Sequence, residues 1–502
     1  MSTLVAGRTR PAFCGVDVGT QGVRSVVVTA DGQCVGSGSA ALAPGDRAAG
    51  RHEQCPDDWW AALASAVRAA VTEAGTEFDI VCLALDATSG TVLVEGADGT
   101  ARGPGLMYDD ARASEQANRA QLVGAQLWDA LGYRMQTSWA LPKIMWLLQE
   151  GAVGAGDRVV HQSDHLLRRL TGSPVPTDSS HALKTGVDLR DISWPDEIFG
   201  ELGVNAALLP PVVLPGTDIG QVGAGGAAAT GLRVGTRVRA GMTDGCAAQI
   251  ATGALHTGSW SSALGTTLVI KGSTTDLIRD PRGAVYSHRN PDGGWLPGGA
   301  SSSGAGVISK EFPGADAAAL RMLTDRARSS GAVSGVTYAL AGAGERFPFV
   351  APQARGFLAT DALDEAQRFA ALCQSIAYIE RLSYDVLAVL GADVSGPVAL
   401  TGGATANSWW NQLRTDILGR STSIPKSAQA ANGMAVIAAA PRGQLASTAE
   451  HMVRIGARYT PDPARGQQLW PAYERLLDEL VDRHWLDSDL AAKALTGAVR
   501  SP

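Results

Sequence analysis

The sequence predicts an α/β protein whose sheet is duplicated, and three observations lead to this prediction. Residues 13–18 and 80–85 are apolar strands that deliver polar residues at their ends, as in α/β sheets that bind ligands there. Residues 259–272 repeat the plan of residues 13–28, a strand, a tight turn and a strand. A third glycine-rich turn, at 401–404, follows an apolar strand and precedes a helix. We therefore expect two domains with a boundary near residue 255.

The first of these stretches, FCGVDVGTQGVRSVVVTADG at 13–32, has the features of a phosphate-binding hairpin. Gly19 and Gly22 would let peptide N–H groups approach an anion, and Thr20 and Gln21 add side-chain donors. Asp17 lies where a buried strand meets the turn, so its carboxylate needs donors or a cation such as Mg²⁺ carrying nucleotide phosphate. The alternative is an ordinary surface hairpin with a satisfied Asp, and this stretch alone does not decide between them.

Composition limits the classes of function. The 502 residues suit two or three domains, with 45% hydrophobic and 18% charged residues. A net charge of −7 and the lack of a basic run argue against nucleic-acid and membrane partners. The six cysteines form no C-x-x-C pair, the N-terminus lacks the apolar core of a signal peptide, and no run of 18 apolar residues occurs. We therefore expect a cytoplasmic protein.

Two polar clusters in the first half are candidate binding sites. The stretch DATSGT at 86–91 ends an apolar strand, and YDDAR at 108–112 precedes a long helical pattern that begins at Ala113. Asp109 or Asp110 is either a helix N-cap or an acceptor for substrate hydroxyls. His161 and His165 are four residues apart and could share a helix face, but they lack a nearby third ligand for a metal.

Two further features concern the middle and the end of the chain. Residues 174–240 are rich in Pro, Gly and Val and predict loops and short strands. Asp244 follows them, between glycines and before a helix, as an N-cap or as an exposed carboxylate base. Gly433 lies in a small-residue helix, 432–440, which we expect to pack close to the turn at 401–404.

Together, three stretches resemble the FGGY family of carbohydrate kinases over roughly residues 12–480. They are GVDVGTQGVRSVVVTADG, SSALGTTLVIKG and ALTGGATANSWWNQLRTDILG, which match the family's two phosphate motifs and its adenosine-side motif. The resemblance implies a duplicated actin-like, ribonuclease-H-like ATPase fold with its active site in the interdomain cleft. The sugar and phosphate side falls on residues 11–255 and the nucleotide side on residues 256–480. No Walker A pattern occurs, which excludes a P-loop kinase at the level of motifs.

The resemblance also implies roles for individual residues and names ATP and Mg²⁺ as cofactors. Asp244 is the implied catalytic base, and Asp17 and Asp244 are the implied metal-binding residues. The contacts to ATP fall on the following residues: Asp17, Gly19, Thr20, Gln21, Gly265, Thr266, Thr267, Gly402, Gly403 and Asn407. The partners are then a small-molecule sugar and ATP, and a homodimer stays open because sequence does not give the oligomeric state.

The sugar motif differs between branches of this family. Xylulose kinases usually carry Gln-Met-His-Gly where this chain has DATSGT, and glycerol kinases carry Arg-Glu-Thr near the YDDAR position. DATSGT, YDDAR, VYSHR (285–289), GGWLPGGASSSG (293–304) and GERFPF (344–349) are similar to the D-ribulose kinases of cyanobacterial and plant-plastid type. This implies sugar contacts at Ser89, Asp109 and Asp110, and phosphorylation of D-ribulose to D-ribulose 5-phosphate.

Alternatives within the class are a kinase of D-xylulose or of another pentulose or polyol. An alternative from a different class is a nucleotide-gated binding protein of the same fold, which needs no sugar base. Asp244 and DATSGT weigh against that reading.

Overall fold

The computed structural model describes residues 9–331, 333, 335–359 and 363–497. Residues 1–8, on which the expectation of no signal peptide depends, lie outside the described residues. The chain divides into two compact units. Of the described residues, the first unit contains those up to Gly253 together with His288–Gly294 and Ser427–Arg454, and the second contains those within Ala254–Ser287, Trp295–Lys426 and from Ile455 onwards. Each unit is thus assembled from separate stretches of sequence.

The first unit is built on a six-stranded mixed sheet. Arg10–Val18 lies inside it, antiparallel to Gly22–Thr29 and parallel to Phe78–Ala87. Every residue from Cys14 to Val18 is buried, as expected for a strand covered on both faces. In spatial order the strands are Asp218–Gln221, Arg237–Arg239, Phe78–Ala87, Arg10–Val18, Gly22–Thr29 and Cys34–Ala41. Parallel pairing puts the carboxyl ends of the central strands at one edge of the sheet.

Helices cover this sheet, and a smaller sheet adjoins it. Helix Pro56–Ala74 begins with Pro at its first position and two acids in its first turn, and it buries Trp59 in the core. The other helices of the unit are Ser114–Val123, Ala125–Leu131, Ala140–Gln149, Gln162–Thr171, Ser179–Ala182, Asp196–Leu202, Ala224–Thr230, Asp244–Ile250, Ala430–Ala439 and Leu445–Met452. The smaller sheet has the order Asp46–Ala48, Arg51–Gln54, Gly105–Leu106, Val92–Glu95, Arg158–His161, and Thr177–Asp178 pairs with Val212–Val213.

The second unit contains a long central helix and six whole strands of a seven-stranded sheet, whose edge strand Tyr286–Arg289 begins in this unit. The strand order is Tyr286–Arg289, Trp295–Ser301, Leu268–Gly272, Trp260–Leu264, Val398–Thr401, Thr422–Pro425, Ile455–Tyr459. The hairpin Val336–Glu345 and Ala351–Ala359 stands apart from that sheet. The helices are Gly306–Glu311, Ala317–Ser330, Glu365–Val389, Ser408–Leu418, Pro463–Asp482 and Ser488–Gly497. Most of helix Glu365–Val389 is buried. Its Glu380 forms an ion pair with Arg414 of helix Ser408–Leu418.

Several predicted elements need correction. The long helix expected from Ala113 is two helices, because the chain breaks at Gly124 and restarts at Ala125. Residues 174–240 contain three α-helices as well as loops and strands, since small residues such as the alanines of 224–230 support a short helix there. No helix among the described residues is both long enough and apolar enough to cross a membrane.

Within its own unit, Gly433 has a close neighbour that its sequence did not indicate. Its helix, Ala430–Ala439, lies in the first unit, whereas the turn at 401–404 lies in the second. A Cβ at Gly433 would stand 2.0 Å from the carbonyl oxygen of Ala247. The helix therefore packs backbone to backbone against helix Asp244–Ile250, and glycine is what permits this distance.

Candidate active site

Three acidic side chains come together at the carboxyl edge of the six-stranded sheet. Asp17 and Asp86 are register partners on parallel strands, and Ala87 forms a bridge with Thr243, the residue before Asp244. Asp86 and Asp17 are buried, whereas Asp244 is half-buried at the first position of helix Asp244–Ile250. The N-cap of that helix is Thr243, so the alternative that Asp244 itself is the N-cap was wrong.

The three carboxyl groups of this cluster have little positive charge near them to balance their own. Burial raises the pKa of Asp86 well above its ordinary value, and the charges of Asp17 and Asp244 raise it further. Burial also raises the pKa of Asp17, against the opposing effect of Arg24, whose Nη1 lies 3.4 Å from the carboxylate. The carboxyl groups of Asp86 and Asp17 interact with each other, and no other residue of the described chain donates a hydrogen bond to the Asp86 side chain. Such a cluster is a suitable place for a cation.

Asp86 lies in the candidate stretch DATSGT but had no predicted role of its own, although its position carries the same signal as that of Asp17. Both residues end an apolar strand next to a glycine-containing turn. No group of three or more metal-ligating side chains within the described ranges is arranged to enclose an ion. Mg²⁺ does not need one, because it usually takes one or two carboxylates and completes its shell with waters and substrate phosphates.

The first glycine turn lies beside Asp17, and hydrogen bonds from its own backbone and from Gln54 hold it in place. Gly19 N–H donates to the carbonyl of Gly22 at 3.1 Å, which closes the turn. Gln54 donates to the carbonyl of Thr20 at 2.9 Å and accepts from Trp59 at 2.8 Å. Thr20 is half-buried and Gln21 is exposed, so both side chains are accessible to a ligand.

A buried polar network supports the residue before Asp244. The hydroxyl of Ser180 lies 3.0 Å from the hydroxyl of Thr243 and 3.0 Å from Nδ1 of His288. Thr243 N–H also donates to the Ser180 hydroxyl at 3.2 Å. Ser180 and His288 had no predicted role, because residues distant in sequence meet here only in the folded chain.

The predicted sugar residues lie on two loops of the first unit, and they differ in their surroundings. Ser89 is half-buried, its hydroxyl has no partner within the described chain, and its carbonyl accepts from Lys184 at 3.0 Å. Asp109 is half-buried and accepts from Arg47 at 2.9 Å and from His52. Although burial acts to raise it, the bonds from His52 and Arg47 hold the pKa of Asp109 below its ordinary value.

Asp110 has a different environment. It is fully buried, accepts from His52 N–H at 2.9 Å and forms an ion pair with Arg112 at 2.8 Å. The adjacent helix has Ala113 as its N-cap, so the N-cap alternative was wrong for both Asp109 and Asp110. Tyr108, next to these acids, exposes 39% of its surface and offers an aromatic face that the sequence analysis overlooked.

His161 and His165 do not share a helix face. His161 is the N-cap of helix Gln162–Thr171 and contacts Asp164 in a capping box. His165 lies inside the helix and contacts Glu95 at 2.7 Å. Each imidazole is thus held by its own carboxylate, which explains both histidines without a metal.

The second glycine turn lies in the second unit, between strands Trp260–Leu264 and Leu268–Gly272. Gly265 N–H donates to the carbonyl of Thr267 at 3.1 Å. A Cβ at Gly304 would stand 2.5 Å from the carbonyl oxygen of Thr266, so residues 303–306 lie directly against the turn. The predicted strand, turn and strand are confirmed here.

A cavity of about 510 Å³ opens beside the third glycine turn, also in the second unit. Gly402 has φ +87°, and Gly403 and Asn407 line the cavity at the start of helix Ser408–Leu418. The side chain of Asn407 is engaged, because it caps Trp410 N–H at 3.0 Å and donates to Thr324 at 2.9 Å. The rest of the lining includes Ala305, Ile308, Leu320, Arg321, Arg328 and Phe369. Two arginines and an apolar wall suit a ligand with a flat ring and negative charge.

This architecture, two α/β units that carry glycine-rich turns and acids, is the two-domain fold of the actin-like ATPase type. Residues 12–251 match the model of the FGGY family of carbohydrate kinases, N-terminal domain, and residues 261–441 match that of the C-terminal domain. The chain belongs to the FGGY family of carbohydrate kinases and is a sugar kinase.

Relatives agree with this assignment. The chain is similar to a xylulose kinase of Streptomyces rubiginosus, with 30% identity over 94% of this chain and 95% of that protein. A xylulose kinase of Bacillus subtilis is 25% identical over 96% of this chain and 98% of its own length.

Solved structures share the fold. The xylulose kinase of Rhodospirillum rubrum superposes with a TM-score of 0.84 at 22% identity, covering 94% of this chain and 99% of that one. The glycerol kinase of Plasmodium falciparum with ADP gives a TM-score of 0.81 at 16% identity, over 95% and 99% of the two chains.

Proposed function

We propose that the protein transfers the γ-phosphate of ATP to a hydroxyl group of a ketopentose, with D-ribulose as substrate and D-ribulose 5-phosphate as product. The observation that carries the proposal is the meeting of Asp17, Asp86 and Asp244 at one sheet edge, with the unpartnered Ser89 hydroxyl three residues beyond Asp86. An acidic edge of this kind can take a proton from an alcohol and hold a cation for phosphate.

In the proposed reaction, Asp244 is the base. Its carboxylate accepts the proton of the 5-hydroxyl of ribulose while that oxygen attacks the γ-phosphorus in line. The bond between the γ-phosphorus and its bridging oxygen breaks, and ADP leaves. N–H groups of the turn at Gly19 stabilise charge on the transferring group. The half-burial of Asp244 supports this role, because a base must be accessible to its substrate.

Mg²⁺ fits the acidic edge on the grounds of charge. Asp17 and Asp244 would hold it, with the buried carboxyl group of Asp86 beside them. When bound, the ion would neutralise charge on the β- and γ-phosphates. The nucleotide would lie along the second and third glycine turns, with its base in the cavity beside Gly403 and Asn407. In this proposal residues 11–255 serve the sugar and residues 256–480 serve the nucleotide.

D-Xylulose is the competing substrate, and the names of the relatives favour it. DATSGT in place of Gln-Met-His-Gly favours D-ribulose. The two ketoses differ only at C3, so selection depends on hydrogen-bond partners rather than on pocket size. Ser89 and Asp109, both half-buried, are the candidate partners. Asp110, which Arg112 and His52 N–H already occupy, contributes by holding the loop rather than by direct contact.

The proposed activity is tested by ADP release from ATP and Mg²⁺ with a panel of pentuloses, pentoses, polyols and glycerol. We expect release to depend on a pentulose. ATP turnover that no sugar changes would instead support a nucleotide-gated binding protein. The same assay with Asp244→Asn measures the ADP release that does not depend on the proposed base.

A further inference from the structure

Glu345, in the stretch GERFPF, is a buried carboxylate that collects donors from three parts of the second unit. It accepts from the hydroxyl of Ser301 at 3.0 Å, from the hydroxyl of Tyr338 at 2.7 Å and from Ser302 N–H at 2.6 Å. It also accepts from the N–H of Arg346 at 3.0 Å. The residue is 2% exposed. Removing a carboxylate from water costs free energy, so a buried carboxylate needs hydrogen-bond donors for its lone pairs.

The residues held by Glu345 continue directly into the segment that supports the second glycine turn. Ser303 N–H donates to the Ser301 hydroxyl at 2.9 Å, so the same serine links Glu345 to the next residues. The Ser303 carbonyl accepts from Leu268 N–H at 2.8 Å, immediately after the turn. The N–H groups of Ala305 and Gly306 donate to the carbonyls of Gly265 and Thr266 at 2.9 and 3.1 Å.

These contacts form a continuous path from Glu345 to the backbone of residues 265–267. A displacement of Ser301 and Ser302 would be passed through Gly304 to the turn, because Gly304 lies so close to it that a Cβ there would stand 2.5 Å from the Thr266 carbonyl oxygen and from the Thr267 Cα. Because a preorganised turn binds phosphate through the direction of its N–H groups, small displacements reduce affinity.

We propose that Glu345 is a positioning residue for nucleotide phosphate, acting through Ser301–Gly304 on the Gly265-Thr266-Thr267 turn. This inference rests on the proposed function, in which that turn binds the nucleotide. Glu345 does not contact the ligand. Its carboxylate keeps the turn in the geometry that phosphate needs, and this gives the GERFPF stretch a role.

The test is the Kd for ADP with Mg²⁺ by titration calorimetry, without sugar, for wild type, Glu345→Gln and Tyr338→Phe. The Gln amide turns an N–H₂ group towards the donors, so we expect Kd to rise about tenfold or more. Tyr338→Phe removes one donor and should raise Kd about two- to fivefold. Asp385→Asn is the matched control, since Asp385 is also buried and accepts from Tyr473 and Arg381.

Kinetics and melting separate positioning from stability. We expect Glu345→Gln to raise KM for ATP and leave KM for the sugar within about twofold, while Asp385→Asn changes only the melting temperature. If Glu345→Gln does not fold, the same measurements of ADP affinity, KM and melting temperature on Tyr338→Phe test the inference. Unchanged ADP affinity in folded variants that melt earlier would overturn the inference. Wild type that binds ADP but phosphorylates no sugar would reject the proposed activity alone, whereas wild type that binds no ADP would reject both.

Discussion

Asp244 is the residue on which the proposed chemistry depends most. Its carboxylate is half-buried at the start of a helix, with Thr243 fixed behind it by Ser180. We expect Asp244→Asn to fold normally and to lose about 10²–10⁴-fold in kcat, because the amide cannot accept the hydroxyl proton. Steady-state rates with a melting curve check this. Asp58→Asn, another acid in the first turn of a helix, is the control. Turnover at the wild-type level in Asp244→Asn would remove the residue from the base role.

Asp17 should act on the metal rather than on the sugar. It lies beside the glycine turn, and its only ion pair within the described chain is with the exposed Arg24. We expect Asp17→Ala to require more Mg²⁺ for half-maximal rate at saturating ATP and sugar, with little change in KM for the sugar. The measurement is a Mg²⁺ titration of the rate. The same Mg²⁺ dependence in both proteins would show that Asp17 is structural.

The polar residues at strand ends could be located from sequence, but their partners could not. An apolar strand followed by Asp and a glycine turn is visible in one stretch, as at Asp17. The partnership of Ser180 with His288 joins residues 108 positions apart, and no local pattern contains it. The burial of Asp110 was invisible for the same reason, since Arg112 and His52 approach it only in the folded chain.

At the scale of elements, the contact between helices Ala430–Ala439 and Asp244–Ile250 should tolerate no side chain at Gly433. A Cβ would overlap the Ala247 carbonyl, so we expect Gly433→Ala to lower the free energy of unfolding by about 1–3 kcal/mol. Gly225→Ala is the matched control, because that exposed helical glycine has no neighbour within 4 Å, and it should be neutral or stabilising by up to about 1 kcal/mol. Urea unfolding measures both. Equal stability of the two variants would contradict the packing argument.

Helix Ala140–Gln149 buries a lysine, and its stability should depend on pH. Burial lowers the pKa of Lys143 from 10.5 to about 7, and its Nζ donates to the Met107 carbonyl at 2.7 Å. Between those values the unfolded chain binds the proton and the folded chain does not, so this residue makes stability rise with pH. From pH 7 to pH 9, wild type should gain about 2 kcal/mol relative to Lys143→Met in urea unfolding.

The control for this comparison is Lys493→Met, an exposed lysine whose variant should follow the wild-type pH dependence. Parallel pH dependences of wild type and Lys143→Met would mean that Lys143 stays charged in the folded protein. The burial of this lysine could not be predicted from the sequence, because a lysine in an apolar helix face usually extends to solvent.

For the whole molecule, the order of motifs predicted the family. Which segments of the chain form each unit is known only from the structure. Residues 288–294 and 427–454 belong to the first unit although they follow the second glycine turn in the chain. Strand and helix periodicity describe local structure and contain no information on which unit a segment joins. His288 and Gly433, both in those segments, therefore had no predicted neighbours in the first unit.

Ser89 should contribute to the choice of substrate. Its hydroxyl is buried without a partner among the described residues, so a sugar hydroxyl could satisfy it. We expect Ser89→Ala to change the ratio of kcat/KM for D-ribulose and D-xylulose by about five- to a hundredfold, the effect of one polar group. Ser383→Ala, whose hydroxyl bonds within its own helix, is the control. An unchanged ratio would remove Ser89 from the sugar site but leave the substrate assignment in place.

The central claim is that this sugar kinase phosphorylates D-ribulose. The most direct test compares kcat/KM for D-ribulose and D-xylulose in the wild-type protein with saturating ATP and Mg²⁺, and identifies the phosphorylated product. The competing ketose leaves polar groups at C3 unsatisfied, which costs about 1–3 kcal/mol for each group. We expect kcat/KM to be about tenfold or more higher for D-ribulose than for D-xylulose, with D-ribulose 5-phosphate as product. A clear preference for D-xylulose would contradict it.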